Sequence, residues 1–234
     1  MKIIYIFLIS FNFLFHYSGS NIGNTNEILK ISNDLQDKIG DVYRKAELKG
    51  VIDFDVFKMA ITGYYQLNQR KKNIITIIDY SKPSTKERFF VIDIDNKKLL
   101  YNCLTAHGKN SGNNYATEFS DKPGSKMSSI GFFITAETYT GKHGYSLKLD
   151  GLEKNINDNA RKRAIVIHAA NYVSKSFIKK YGRLGRSWGC PALPPKLSKN
   201  IINTIKNGSV LFIYGNDKNY LIKSEYMKTR HINN

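Results

Sequence analysis

Past residue 72 the chain becomes a series of short apolar runs closed off by turn residues, and this texture constrains the fold more than any other feature. Brief stretches rich in Ile, Val, Phe and Tyr, bounded by Gly, Asn, Asp or Pro, are the signature of strands. They occupy 74–80, 88–94, 98–106, 130–135, 145–149, 164–168, 209–214 and 220–223, with Asp95, Asn96 and Lys97 turning between the second and third. One helix is expected among them at about 197–206. Before residue 72 the period is different. Ile28, Leu29, Ile31 and Leu35, and then Phe54, Phe57, Ala60, Ile61, Tyr64 and Leu67, recur at helical spacing. Gly50 breaks the pattern and Asp53 is placed as an N-cap. Neither an internal repeat nor a low-complexity linker is visible. The reading is an α+β protein: a small helical N-terminal subdomain (21–72), a β-rich catalytic-type domain (73–227) and a polar tail (228–234).

Residues 1–20 are set apart from this fold. Lys2 precedes an apolar run over 3–15, and Ser18 and Ser20 follow as small residues suited to peptidase cleavage. That is the pattern of a secretory signal peptide, and the run is too short for an ordinary membrane span. An uncleaved signal is the one route to a membrane that the sequence offers. Export also bears on the net charge of +17. In an exported chain such charge points to anionic wall polymer, acidic peptides or a membrane surface rather than nucleic acid. A generally lysine-rich composition gives the same total without naming a partner.

The chain has two cysteines, Cys103 and Cys190. In an oxidising compartment their first reading is a single disulfide. The surroundings of position 190 add other readings. Cys190 lies in GRSWGCPALP (185–194), where Gly and Pro free backbone amides to point at a substrate. His168 closes an apolar run expected to be a buried strand, which carries a side chain rigidly yet leaves it accessible. An unperturbed thiol titrates near about 8.5. A neighbouring imidazole can accept its proton and hold the thiolate as an ion pair, while the amides of Gly189 and Cys190 receive an oxyanion. His107, His143, His168 and Cys190 show no local metal-ligand spacing, so no metal and no cofactor is expected. A satisfied structural histidine and a buried filler cysteine remain alternatives on spacing alone.

Longer segments decide between these readings. IVIHAANYV (165–173) followed by GRLGRSWGCPALP (182–194) resembles the catalytic region of the YkuD-like L,D-transpeptidases of bacterial cell walls. AHGKNSG (106–112), KPGSKMSSIGFF (122–133), YTGKHGYSLKLDGLE (139–153) and NDNARKRAIVIHAA (157–170) are similar to its murein L,D-transpeptidase branch. The resemblance implies a YkuD-like catalytic domain, with mixed sheets forming a sandwich or open barrel. It implies a cysteine acyltransferase acting on peptidoglycan stem peptides, donor and acceptor alike, in the periplasm or cell wall. Cys190 is then the nucleophile and His168 the base, oriented by the backbone carbonyl of Ala169. Cys103 is left as a buried, inert strand thiol. Ser187, Trp188 and Gly189 form the nucleophile loop, with Trp188 standing where many relatives have His. Trp188 is expected to wall the acyl pocket, stack on a sugar or pack into the core. Arg186, His107, His143 and Tyr139 are candidate substrate-binding positions. Water as acceptor would make the same machinery a carboxypeptidase, endopeptidase or amidase, and loss of chemistry would leave a wall-binding protein.

Overall fold

The computed structural model describes residues 22–227, with side chains from 33 onward. The expected signal peptide and the tail from residue 228 lie outside the described residues. Among these residues no helix is long and apolar enough to cross a membrane. Two compact units divide the chain at Asp37, and residues 38–234 form the larger; the description that follows concerns that unit.

Eight strands form a single mixed sheet in the order β3-β2-β1-β8-β4-β5-β6-β7. They are β1 (Ile74–Asp79), β2 (Phe89–Asp93), β3 (Lys98–Cys103), β4 (Gly131–Gly141), β5 (Gly144–Gly151), β6 (Val166–Ala169), β7 (Ala192–Leu193) and β8 (Val210–Tyr214). β1 pairs with β8, and β6 with β7, in parallel; every other neighbour is antiparallel. The two ends of this order meet. Ala106, just past β3, donates to Ala192 of β7 at 3.0 Å and accepts from it at 3.4 Å. The sheet is therefore a nearly closed barrel, the open-barrel alternative of the sequence reading.

Two of the helices, the second and the fourth in the chain, pack on the sheet. α1 is Ile22–Lys45 and α2 is Phe54–Gln66. α2 starts where Asp53 Oδ1 accepts the N–H groups of Asp55 (2.9 Å) and Val56 (3.2 Å), a satisfied N-cap. Its buried stripe of Val56, Phe57, Ala60, Ile61 and Tyr64 packs against β1 and β8. α3 is Lys175–Tyr181 and α4 is Pro195–Ile205. α4 buries Ile201, Ile202 and Ile205 and packs against β1, β5 and β6.

Two departures from the sequence pattern matter. The run at 220–223 is helical, within α5 (Lys218–Lys223). Asp217 Oδ1 caps the Asn219 N–H at 2.8 Å, and a helical turn buries Tyr220 while leaving Ile222 exposed. Tyr220 Oη and Ser224 Oγ both donate to the buried carboxylate of Glu153, whose Oε2 also takes the Phe132 N–H at 2.6 Å. Residues 220–224 are thus tied to β4 through Glu153. Secondly, β4 runs on through polar residues to Gly141, making a long ribbon with β5 that the apolar pattern stopped short of.

Gly63 of α2 faces the ring of Phe132. A Cβ at Gly63 would lie 2.0 Å from Phe132 Cζ, and that ring is fixed by stacking on Phe212 at 4.5 Å. Gly63→Ala gains about 1 kcal/mol of helix propensity, whereas overpacking a full core costs about 1–3 kcal/mol. Urea denaturation should find the variant less stable than the parent. Equal or greater stability would show that the Phe132 ring can move.

Candidate active site

The site grows from β6. Val166 and Ile167 are fully buried, and His168 is held between Ser146 of β5 and Ala192 of β7 in direct register. Its Nδ1 lies 2.9 Å from the carbonyl oxygen of Ala169. A carbonyl only accepts, so Nδ1 carries the hydrogen and Nε2 keeps the lone pair that a base needs. Burial pushes the His168 pKa down, the Ala169 carbonyl works against that, and the His143 ring adds to it. At neutral pH the imidazole is uncharged.

The loop 183–191 crosses beside this strand and is tied down from several directions. Gly185 donates to Tyr172 O (3.1 Å), Ser187 to His107 O (2.9 Å) and Lys109 to Ser187 O (2.8 Å). Ser187 Oγ donates to Cys190 O at 2.6 Å and accepts the Gly189 N–H at 3.1 Å. Ser128 Oγ donates to Gly189 O at 3.2 Å. Gly189 has φ +125, and a Cβ there would stand 2.7 Å from Met127 O, so the turn requires glycine. Its N–H, which the sequence reading gave to an oxyanion, is bonded to Ser187 Oγ.

Cys190 is half-buried and a free thiol, donating weakly to Ala164 O at 3.5 Å. Burial raises its pKa; the Val166 N–H, the Arg163 charge and its own N–H pull it down. Burial thus works on both groups in the direction of their uncharged forms, the thiol upward and the imidazole downward. Cys103 is also free, and burial pushes its thiol to about 12. Among the described residues no three His, Cys, Asp or Glu side chains gather as a metal site requires.

Cys190 and His168 line a cleft of roughly 230 Å³ together with Lys142, His143, Tyr172, Arg186, Ser187 and Trp188. The β4–β5 turn brings His143 over His168, rings stacked 4.5 Å apart at 25°. Arg186 Nη1 donates to Gly112 O at 3.0 Å, and no acid lines the cleft, so its rim is cationic. Trp188 is 71 % exposed, with Lys126 Nζ 4.8 Å from its ring centre, which removes the core-packing alternative. Lys142 and Tyr172 are cleft residues that the motifs did not single out.

Two expected positions are elsewhere. Tyr139 stands outside the cleft on β4, under Lys148. His107 is fully buried and forms a pillar beneath the loop. Arg88, also fully buried, donates to Thr105 O from Nε (3.0 Å) and Nη2 (2.9 Å), to Lys82 O (2.8 Å) and to His107 Nδ1 (2.7 Å). Guanidinium only donates, so His107 must be neutral to accept. Burial and the Arg88 charge push its pKa down to about 3.

Residues 48–214 match the L,D-transpeptidase catalytic domain family. Among solved structures, an L,D-transpeptidase from Mycobacterium smegmatis is similar at 11% identity and a TM-score of 0.39, over 62% of this chain and 59% of that one. Mycobacterium tuberculosis L,D-transpeptidase 1 gives 14% and 0.36, over 62% and 63%. L,D-transpeptidase 3 from Mycobacterium tuberculosis gives 9% and 0.39, over 62% of each. This chain thus spans about six-tenths of those structures. The relation is distant, and the family assignment rests on the match over 48–214. No curated protein matches the chain.

The His107 pillar has a pH signature. Its folded pKa of about 3 lies below the ordinary 6.5, so the unfolded chain binds a proton that the folded chain refuses. This contribution is complete above pH 6.5 and is lost as pH falls towards 3. His107→Gln keeps an acceptor for Arg88 and cannot titrate. Urea midpoints should therefore fall less steeply in the variant than in the parent between pH 6.5 and 4. Parallel slopes would mean that His107 is not held neutral.

Proposed function

This chain belongs to the L,D-transpeptidase catalytic domain family, and from that premise we propose that it is an exported enzyme that cross-links peptidoglycan stem peptides through a thioester on Cys190. The observation that carries the reading is the cleft shared by Cys190 and His168, with His168 Nδ1 fixed on Ala169 O at 2.9 Å. The geometry leaves Nε2 unprotonated on a rigid strand, in the same cleft as a thiol.

The proposed chemistry needs only a thiol and a base in one cleft. As Sγ attacks the carbonyl of an L-residue preceding a D-residue, typically diaminopimelate before D-alanine, the thiol proton passes to His168 Nε2. General-base transfer during attack makes a preformed thiolate unnecessary. The Cys190 N–H is the backbone donor assigned to the developing oxyanion, a role expected to be worth several kcal/mol. Collapse breaks the C–N bond, and His168 returns the proton to the departing D-amino acid. An amine of a neighbouring stem then attacks the thioester, His168 removes its proton, and the thiol is regenerated as the amide cross-link forms. Arg186 and Lys142 give the cleft rim the charge to hold stem carboxylates, Arg186 by a two-pronged contact. Trp188 offers an exposed aromatic face at the cleft, suited to a sugar ring. Export rests on the N-terminal signal pattern, and no cofactor enters the scheme.

Incubation with disaccharide tetrapeptides tests this reading. Dimers lacking one D-alanine, absent with Cys190→Ala, are expected. Trimmed monomers alone would make the protein a hydrolase, and no product in either form would contradict an enzymatic role. A second expectation concerns His143. Its removal relieves both the burial and the charge that lower the His168 pKa. His143→Ala should therefore move the acid limb of the pH–rate profile to higher pH, while His143→Phe, which keeps a stacked ring, should restore most of kcat. An unmoved limb would rule out the coupling.

A further inference from the structure

Behind the nucleophile turn lies a buried charge that the scheme above does not use. Arg163 stands in the turn before β6, its side chain 3% exposed. Nη1 donates to Ser120 O (2.6 Å) and Ser129 Oγ (2.5 Å); Nη2 donates to Met127 O (2.7 Å) and Ser125 Oγ (3.1 Å). All four acceptors are neutral. The acid beside it is Asp121, with Oδ1 3.7 Å from Nη1 and the side chain 9% exposed. Asp121 spends its other oxygen on Asn159, accepting from the backbone N–H (2.9 Å) and from Nδ2 (2.8 Å). A buried cation whose hydrogen bonds all go to neutral groups, with its acid at 3.7 Å, keeps a field that Asp121 offsets only in part.

That field meets the nucleophile turn. A Cβ on Gly189 would lie 3.4 Å from Arg163 Nη2. That is ordinary contact distance, so the guanidinium lies beside the turn that carries Cys190. The thiol touches Ala164 O at 3.5 Å, one residue beyond Arg163 in the chain.

We propose that Arg163 is a positioning residue, the buried counter-charge of the Cys190 thiolate, and that Asp121 sets how much of that charge the sulfur feels. This rests on Cys190 being the reactive thiol. The Arg163 charge pulls the Cys190 pKa down, against the burial that raises it. Other ionisable groups also face the sulfur. His168 comes from β6, with His143 and Lys142 above it from the β4–β5 turn; Tyr172 follows β6, Tyr80 follows β1, and Arg186 belongs to the loop itself. Among the cations, Arg163 is the one set behind the turn and out of the open cleft, with its side chain 3% exposed.

The test is the pH dependence of iodoacetamide alkylation, read by mass spectrometry on the peptide containing Cys190; Cys103 is buried and serves as the slow internal control. Arg163→Gln should slow alkylation at neutral pH by roughly three- to tenfold, since lost thiolate is partly offset by a more nucleophilic sulfur, and should move the profile to higher pH. Asp121→Asn should do the reverse. Arg163→Lys, which keeps the charge and fewer hydrogen bonds, should stay near the parent. The opposed signs separate charge from architecture, because damage to the turn would move both variants the same way. Shifts of equal sign, or none, would overturn the proposal. If Arg163→Gln does not fold, the Asp121→Asn and Arg163→Lys pair still decides. Alkylation needs no stem peptide, so opposed shifts would stand even if no transpeptidation were found, and a failed shift would leave the proposed reaction untouched.

Discussion

The closure of the barrel at Ala192 is the contact on which the site depends. Ala192 exchanges two backbone hydrogen bonds with Ala106, beyond one end of the sheet, and its carbonyl also accepts from Thr105 Oγ at 3.0 Å. On its other side it lies in register with His168. The residue two past Cys190 is thus pinned between the strand that carries His168 and the far end of the sheet. A parallel pair as short as β6–β7 is weak by itself. Closing the barrel across it makes the separation of Cys190 and His168 a property of the whole sheet rather than of one loop.

Buried polar groups do the rest of the positioning, and most of them are neutral. The Ser128 and Ser187 hydroxyls each satisfy a backbone carbonyl of the loop, and beneath it Arg88 satisfies the carbonyls of Thr105 and Lys82. Preorganisation of this kind fixes the turn before a substrate arrives, which is when an acyl-transfer site gains most from it. Around this fixed centre the rim is different in character. His143 on the ribbon turn and Trp188 on the loop are exposed, so they are free to meet a substrate without disturbing the core.

Much of this was legible in the sequence because local pattern and tertiary role agreed. The strand texture after residue 72 and the Asp53 cap reflect backbone geometry, which short windows report well. Cys190 and His168 stood out through a Gly- and Pro-rich loop and a strand-ending histidine. What was hidden depended on distant partners. His107 sits among glycines and looked like a cleft residue; only the fold shows Arg88 buried beneath it. Arg163 belongs to a basic run, RKR at 161–163, in which nothing distinguishes the buried arginine from its exposed neighbours. The polar end of β4 is held by pairing with β5 rather than by burial, so it left no hydrophobic trace. Trp188 points outward because Ser187 and Gly189 on either side are bonded inward, an alternation that a composition-based reading assigns to the core.

The most direct test of the account is to trap the acyl-enzyme. The protein would be mixed with a disaccharide tetrapeptide donor without acceptor, quenched in acid, and mapped by tandem mass spectrometry. The account predicts a thioester on Cys190, with the mass of the donor less its terminal D-residue, and Cys103 unmodified. An adduct on any other residue, or a product formed with Cys190 never acylated, would contradict it.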